Sequence, residues 1–248
     1  MGQGTWLGRG DKPPQMEAWS KMRLGWVDVR TIDRTTAQVE IPAVASTPQV
    51  IRIPAVLNRP QEYYLLEYRR KEDLDERLPG EGLLVWHVDE GVGGFRDAQA
   101  NERHKLLHLV EADGQGDLDR GHTRGGNRGD ASDPWVGRPP WRARVALLFT
   151  IAGALAIALA VFRLGRAGAV AGALLRLGIG LAALVMGRAV ERPLVCGPGT
   201  PGMSPYGGQP VGVVLRNISP LGPAMRVDIL VAPNLAPDAV LEPEPGAR

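Results

Sequence analysis

Cysteine is nearly absent from this chain: Cys196 is the only one in 248 residues. One thiol excludes an internal disulfide framework and a cysteine-rich zinc module. Aromatic residues make up only 5% and the net charge is +2, so the basic surface of a dedicated nucleic-acid binder is missing and no nucleic-acid partner is expected. Histidine is scarce, at His87, His104, His108 and His122 only. Acids vanish from one long stretch: between Pro134 and Val227 there is a single one, Glu191, against ten arginines. Residues 1–10 lack the basic-then-apolar order of a secretory leader, so no signal peptide is visible.

Glycine and proline, by contrast, number 32 and 21, which predicts many turns. Between those turns, runs with alternating or β-branched character predict strands over 26–29, 37–41, 50–56, 63–68, 83–88 and 106–110, and later over 210–217 and 225–231. Residues 14–23 are helix-compatible, with Met16, Trp19 and Met22 three apart and Gly25 ending the run. The expected fold class is α+β, mainly β, with an antiparallel sheet or sandwich. Charge divides the chain. Residues 1–134 carry 18 basic and 22 acidic side chains, and residues 135–248 carry 11 and 5.

The basic half opens with long apolar runs. Residues 145–162 read VALLFTIAGALAIALAVF, without a charge and with one hydroxyl. At ~1.5 Å per residue this approaches the thickness of a bilayer core. A second run, 167–187, carries Arg176 at its midpoint, which opposes insertion by about 3 kcal/mol. Four regions are therefore expected. Residues 1–135 form a strand-rich domain, and 136–204 an inserted hydrophobic helical hairpin with candidate transmembrane segments 145–164 and 167–187. Residues 205–232 return strands to the first domain, and 233–248 are a disordered tail. A sheet cannot straddle a bilayer with open edges, so both flanks of the hairpin belong on one side. The expected placement is at a membrane, which then counts among the partners.

A zinc peptidase of the commonest type needs H-E-x-x-H on a helix. His104 and His108 have the right spacing, but Lys105 stands where the base should be. Their segment also alternates like a strand, on which they lie ~13 Å apart. No zinc site is expected in this chain. There is no G-x-S-x-G elbow, and Gly114, Gly116, Gly121, Gly125, Gly126 and Gly129 match neither phosphate-cradling fingerprint. No catalytic residue is assigned. What remains is oxygen-rich: Asp113, Asp117 and Asp119 in EADGQGDLD, then Asn127, Asp130 and Asp133 in NRGDASDP. Any one of these alone reads as a solvated turn. Together, on glycine-punctuated loops, they are the candidate ligands of a calcium ion. Glu72, Asp73, Asp75 and Glu76 read as a solvated loop.

Several phrases, in order, resemble the immune inhibitor A-type secreted zinc metallopeptidases of bacteria. They are Met1-Gly-Gln-Gly-Thr-Trp6 with Gly10-Asp-Lys-Pro13, Ala18-Trp-Ser-Lys21 with Leu24-Gly-Trp-Val27, and Tyr63-Tyr-Leu-Leu-Glu-Tyr-Arg69. Gly80 to Glu90, His104 to Gly114 and Asn127 to Trp135 follow. After the insert, Gly212 to Ser219 and Ala224 to Asp228 continue the likeness. The resemblance implies the sheet portion of a zincin-type metallopeptidase, zinc as cofactor of the full-length protein, protein substrates, and an extracytoplasmic β domain. In that family the H-E-x-x-H helix precedes the M-G-x-G-x-W phrase, which would place it upstream of Met1. The resemblance therefore implies a fragment of an endopeptidase, inactive alone. Two other readings stand beside it. One is a membrane-anchored, non-enzymatic structural or binding domain; the other treats 136–200 as GC-rich coding sequence read in a shifted frame.

Overall fold

The computed structural model describes residue 10 and residues 12–57, 59–92, 101, 104–120, 122–127, 129–137, 194–196 and 209–233. The described strands belong to one unit assembled from residues 1–136 and 193–248. Along the chain come α1 (Ala18–Arg23), β1 (Asp28–Thr31), β2 (Thr36–Pro42), β3 (Gln49–Pro54), β4 (Val56–Leu57), β5 (Glu62–Arg69) and β6 (Gly82–Asp89). β7 (Leu107–Leu109), β8 (Leu194–Cys196), β9 (Gln209–Arg216) and β10 (Ala224–Pro233) complete the order. The mainly β character expected from the turn-punctuated runs is present.

Two sheets form, in the orders β1-β3-β5-β6-β7 and β2-β10-β9-β4, with β8 paired to β9. All pairs are antiparallel except β1 with β3, which run parallel. The exception follows from the connection. Between β1 and β3 the chain crosses to the second sheet as β2, so it re-enters the first sheet in its original direction. β8 corresponds to no run singled out in the sequence.

Strand β5 is buried along its whole length. Its side chains alternate between two apolar environments, as period-2 geometry requires. Tyr64, Leu66 and Tyr68 point into a core shared with Ile41 of β2, Leu215 of β9 and Met225 of β10. Tyr63 and Leu65 point the other way, against Ala18 and Trp19 of α1 and Val88 of β6. The first sheet is thus covered by the second sheet on one face and by α1 on the other. Helix α1 begins where Glu17 accepts the Ser20 N–H at 3.2 Å, an N-terminal cap.

The membrane expectation does not hold. Among the described residues no helix is long and apolar enough to cross a membrane. The α-helix found, α1, has 6 residues, a rise of ~9 Å where a bilayer core needs ~30 Å. This overturns the transmembrane and membrane-located readings. Candidate segments 145–164 and 167–187, and with them the expected hairpin, lie outside the described residues. Of the expected tail 233–248, Pro233 closes β10 and the rest lies outside the described residues too.

Candidate functional site

Beyond β7 the chain makes a loop that returns to the first sheet where Trp135 bridges Leu83. Hydrogen bonds pin both ends: Ala112 N–H donates to the Asp133 carbonyl at 2.9 Å, and the Trp135 indole donates to the Val110 carbonyl at 3.0 Å. The first half of the loop is organised by Glu111. Its buried carboxylate accepts the backbone N–H groups of Gly116, Asp117 at 3.2 Å and Leu118 at 3.0 Å. Glycine-rich backbone has donors that strands and helices cannot satisfy, and a carboxylate at the loop's entry meets three of them at once. Gly114 and Gly116 take φ of +67° and +65°, which lets the chain curl around that carboxylate.

The second half is built from side chains bonded to nearby backbone. Asn127 accepts from Gly129 N–H at 2.7 Å, Asp130 from Ser132 N–H at 2.7 Å, and Asp133 from Asp130 N–H at 2.6 Å. The two halves then meet. Asn127 donates its amide to Asp117 at 2.6 Å and to Asp130 at 2.9 Å, and the Ser132 hydroxyl donates to Asp113 at 2.9 Å. Two overlapping carboxylate groups result, Glu111 with Asp113 and Asp133, and Asp113 with Asp117 and Asp130. Within each, one oxygen per residue lies within 4.8 Å of the others.

Burial sets the electrostatics. Withdrawal from water pushes the Asp133 carboxyl up to about 6; the Asp130 N–H opposes the rise, and the charges of Asp117, Asp130 and Glu111 add to it. The hydroxyl and N–H of Ser132 hold Asp130 below the usual carboxylate range. Asp130 and Asp133 also line a cavity of about 240 Å³ whose walls include Leu84, Trp86, Leu109 and Leu118.

Of the six candidate ligands, the loop brings Asp113, Asp117, Asp130 and Asp133 together, with Asn127 cross-linking two of them. Asp119 turns away, its carboxylate meeting the Lys105 ammonium and lying 3.6 Å from His108 Nδ1. Glu111 was not singled out in the sequence. The sign that could have found it is its position, a carboxylate at the end of a strand and the start of a Gly-rich loop.

His87, His104 and His108 are directed at carboxylates rather than at one another. His87 is buried, with Nε2 3.1 Å from Glu62 Oε1, and its ring lies 5.1 Å from that of Tyr64. His104 Nε2 lies 2.9 Å from Asp89 Oδ2, and Arg59 lies 3.3 Å from Glu62 and 3.4 Å from Asp89. Among the described residues no metal-sized group contains a histidine. The convergent donors among the described residues are carboxylate oxygens, whereas zinc centres in proteins draw mainly on Cys and His.

Comparisons with protein-family models, with curated proteins and with solved structures gave no match.

Proposed function

We propose that this chain is the strand-rich part of a zinc-dependent endopeptidase of the zincin type, non-catalytic by itself. The observation that carries the reading is where the resembling phrases fall. Ala18 to Lys21 lies in α1, Tyr63 to Arg69 in β5, and Gly80 to Glu90 spans β6. His104 to Gly114 contains β7, while Gly212 to Ser219 and Ala224 to Asp228 lie in β9 and β10 or just beyond. Of these, β5 and β6 from one side of the insert and β9 and β10 from the other share one core. The histidine geometry supports the non-catalytic part, since each of His87, His104 and His108 faces a carboxylate of its own.

On this reading the unit supplies a rigid sheet and a loop-bound carboxylate site, and a separate H-E-x-x-H segment supplies the hydrolytic metal. Casein hydrolysis with added zinc tests it. The chain alone is expected to give no chelator-sensitive cleavage, and such cleavage would refute the proposal. Reading the coding frame upstream of Met1 tests the family assignment, with an in-frame H-E-x-x-H codon run as the expected result.

A further inference from the structure

We propose that the acidic loop after β7 holds a calcium site centred on Asp113, with carboxylate oxygens of Asp117, Asp130 and Asp133 as further ligands and Glu111 as the residue that positions them. The site goes beyond the peptidase reading and does not rest on it.

The clustering of acids is the weaker part of the case; the stronger part is what two of them lack. Asp117 and Asp133 are 5% and 4% exposed, and Oδ1 of each is buried without a hydrogen-bond partner. Their other oxygens are satisfied, Asp117 Oδ2 by the Asn127 amide at 2.6 Å and Asp133 Oδ2 by the Asp130 N–H at 2.6 Å. One oxygen per carboxylate is thus held in place and left unmet. A buried acceptor without a partner is costly, and more so when charged. Both residues belong to the convergent groups that share Asp113.

Among the described residues no Lys, Arg or His pairs with Glu111, Asp113, Asp117, Asp130 or Asp133, since Lys105 and His108 go to Asp119. The nearby Arg120 guanidinium donates instead to the Gln115 and Gly116 carbonyls. Carboxylates this close repel unless protonated or bridged by a cation. The donors are all oxygen and sit on loops, which suits calcium with its six to eight ligands at about 2.3–2.6 Å. Magnesium requires a near-ideal octahedron and keeps several waters. Zinc favours nitrogen and sulfur. Glu111 already accepts three backbone N–H groups, so its part is to hold Asp117 in place.

The test uses the full chain stripped of metal, titrated with calcium chloride by calorimetry and melted in millimolar calcium or in chelator. Saturable heat and a melting temperature raised by calcium are expected, because a ligand bound only by the folded state stabilises it. Asp117→Asn and Asp133→Asn are each expected to weaken calcium binding by about tenfold or more, since charge count tunes such sites. Asp119→Asn, outside the cluster, is expected to bind as the parent does. Absence of heat with an unchanged melting temperature overturns the proposal. So does equal affinity for magnesium, or undiminished binding in the Asp117→Asn/Asp133→Asn double variant.

Discussion

The Lys21 ammonium lies 2.8 Å from the Glu67 carboxylate, with the two side chains 6% and 0% exposed. Around this pair the Arg69 guanidinium lies 3.2 Å from Glu67 and 3.6 Å from Asp75, and the Trp86 indole donates to Glu67 at 3.0 Å. The network ties α1 to β5, and removing one partner leaves a buried charge less compensated. Lys21→Met is therefore expected to destabilise the unit by about 3 kcal/mol, the scale for breaking a buried pair. Urea unfolding of variant and parent measures it, and a difference within error would show that Arg69 alone suffices.

The same network fixes an acid response. Burial would raise the Glu67 carboxyl, but the Arg69 and Lys21 charges, with hydrogen bonds from Lys21 and Trp86, outweigh it and hold it below the ordinary 4.5. A depressed folded value means that the unfolded chain binds the proton more readily. Glu67 thus contributes stability above pH 4.5 that is lost as pH falls through the lower folded value. Asp75 works in the opposite sense, its carboxyl raised above 3.8 mainly by burial. Glu67→Gln is expected to flatten the acid limb of a stability-against-pH curve below 4.5. An unchanged slope would place the acid sensitivity elsewhere.

Tyr68 joins the two sheets. Its hydroxyl donates to the Gly222 carbonyl at 2.7 Å, across 154 positions of sequence, from β5 to the turn between β9 and β10. Tyr68→Phe leaves that carbonyl without its donor and is expected to cost about 1–2 kcal/mol. Thermal or urea unfolding measures the cost. A silent substitution would mean that water takes over the bond.

Much of this architecture was legible because the strands are short and bounded by turn residues. The run predicted over 63–68 is β5 within one residue at each end, and 83–88 is likewise β6. Full burial of β5 was less legible, since Glu62, Glu67 and Arg69 read as polar until ion pairs enclose them. Asp75, read as part of a solvated loop, is buried beside Arg69 and accepts the Gln15 N–H at 2.9 Å. Local sequence cannot announce a partner sixty positions away. The Asp loops were visible as composition, but which oxygens would be left unmet depends on how Glu111 and Asn127 consume the donors.

Two glycines of the acidic loop separate close approach from backbone conformation. A Cβ on Gly126 would stand 1.7 Å from the Arg120 carbonyl oxygen, 2.6 Å from its carbon and 2.9 Å from the Asp117 carbonyl oxygen. These are backbone atoms and cannot rotate aside, so Gly126→Ala must open the turn that carries Asp117. At Gly114 a Cβ meets nothing within 4 Å, and the only obstacle is φ of +67°. Gly114→Ala is expected to cost about 1 kcal/mol, the scale of a left-handed residue bearing a side chain. Gly126→Ala is expected to cost distinctly more and to weaken the calcium response together with stability. Melting both variants in calcium and in chelator makes the comparison. If Gly126→Ala melts no lower than Gly114→Ala, the close packing of the two halves of the loop is not what holds it.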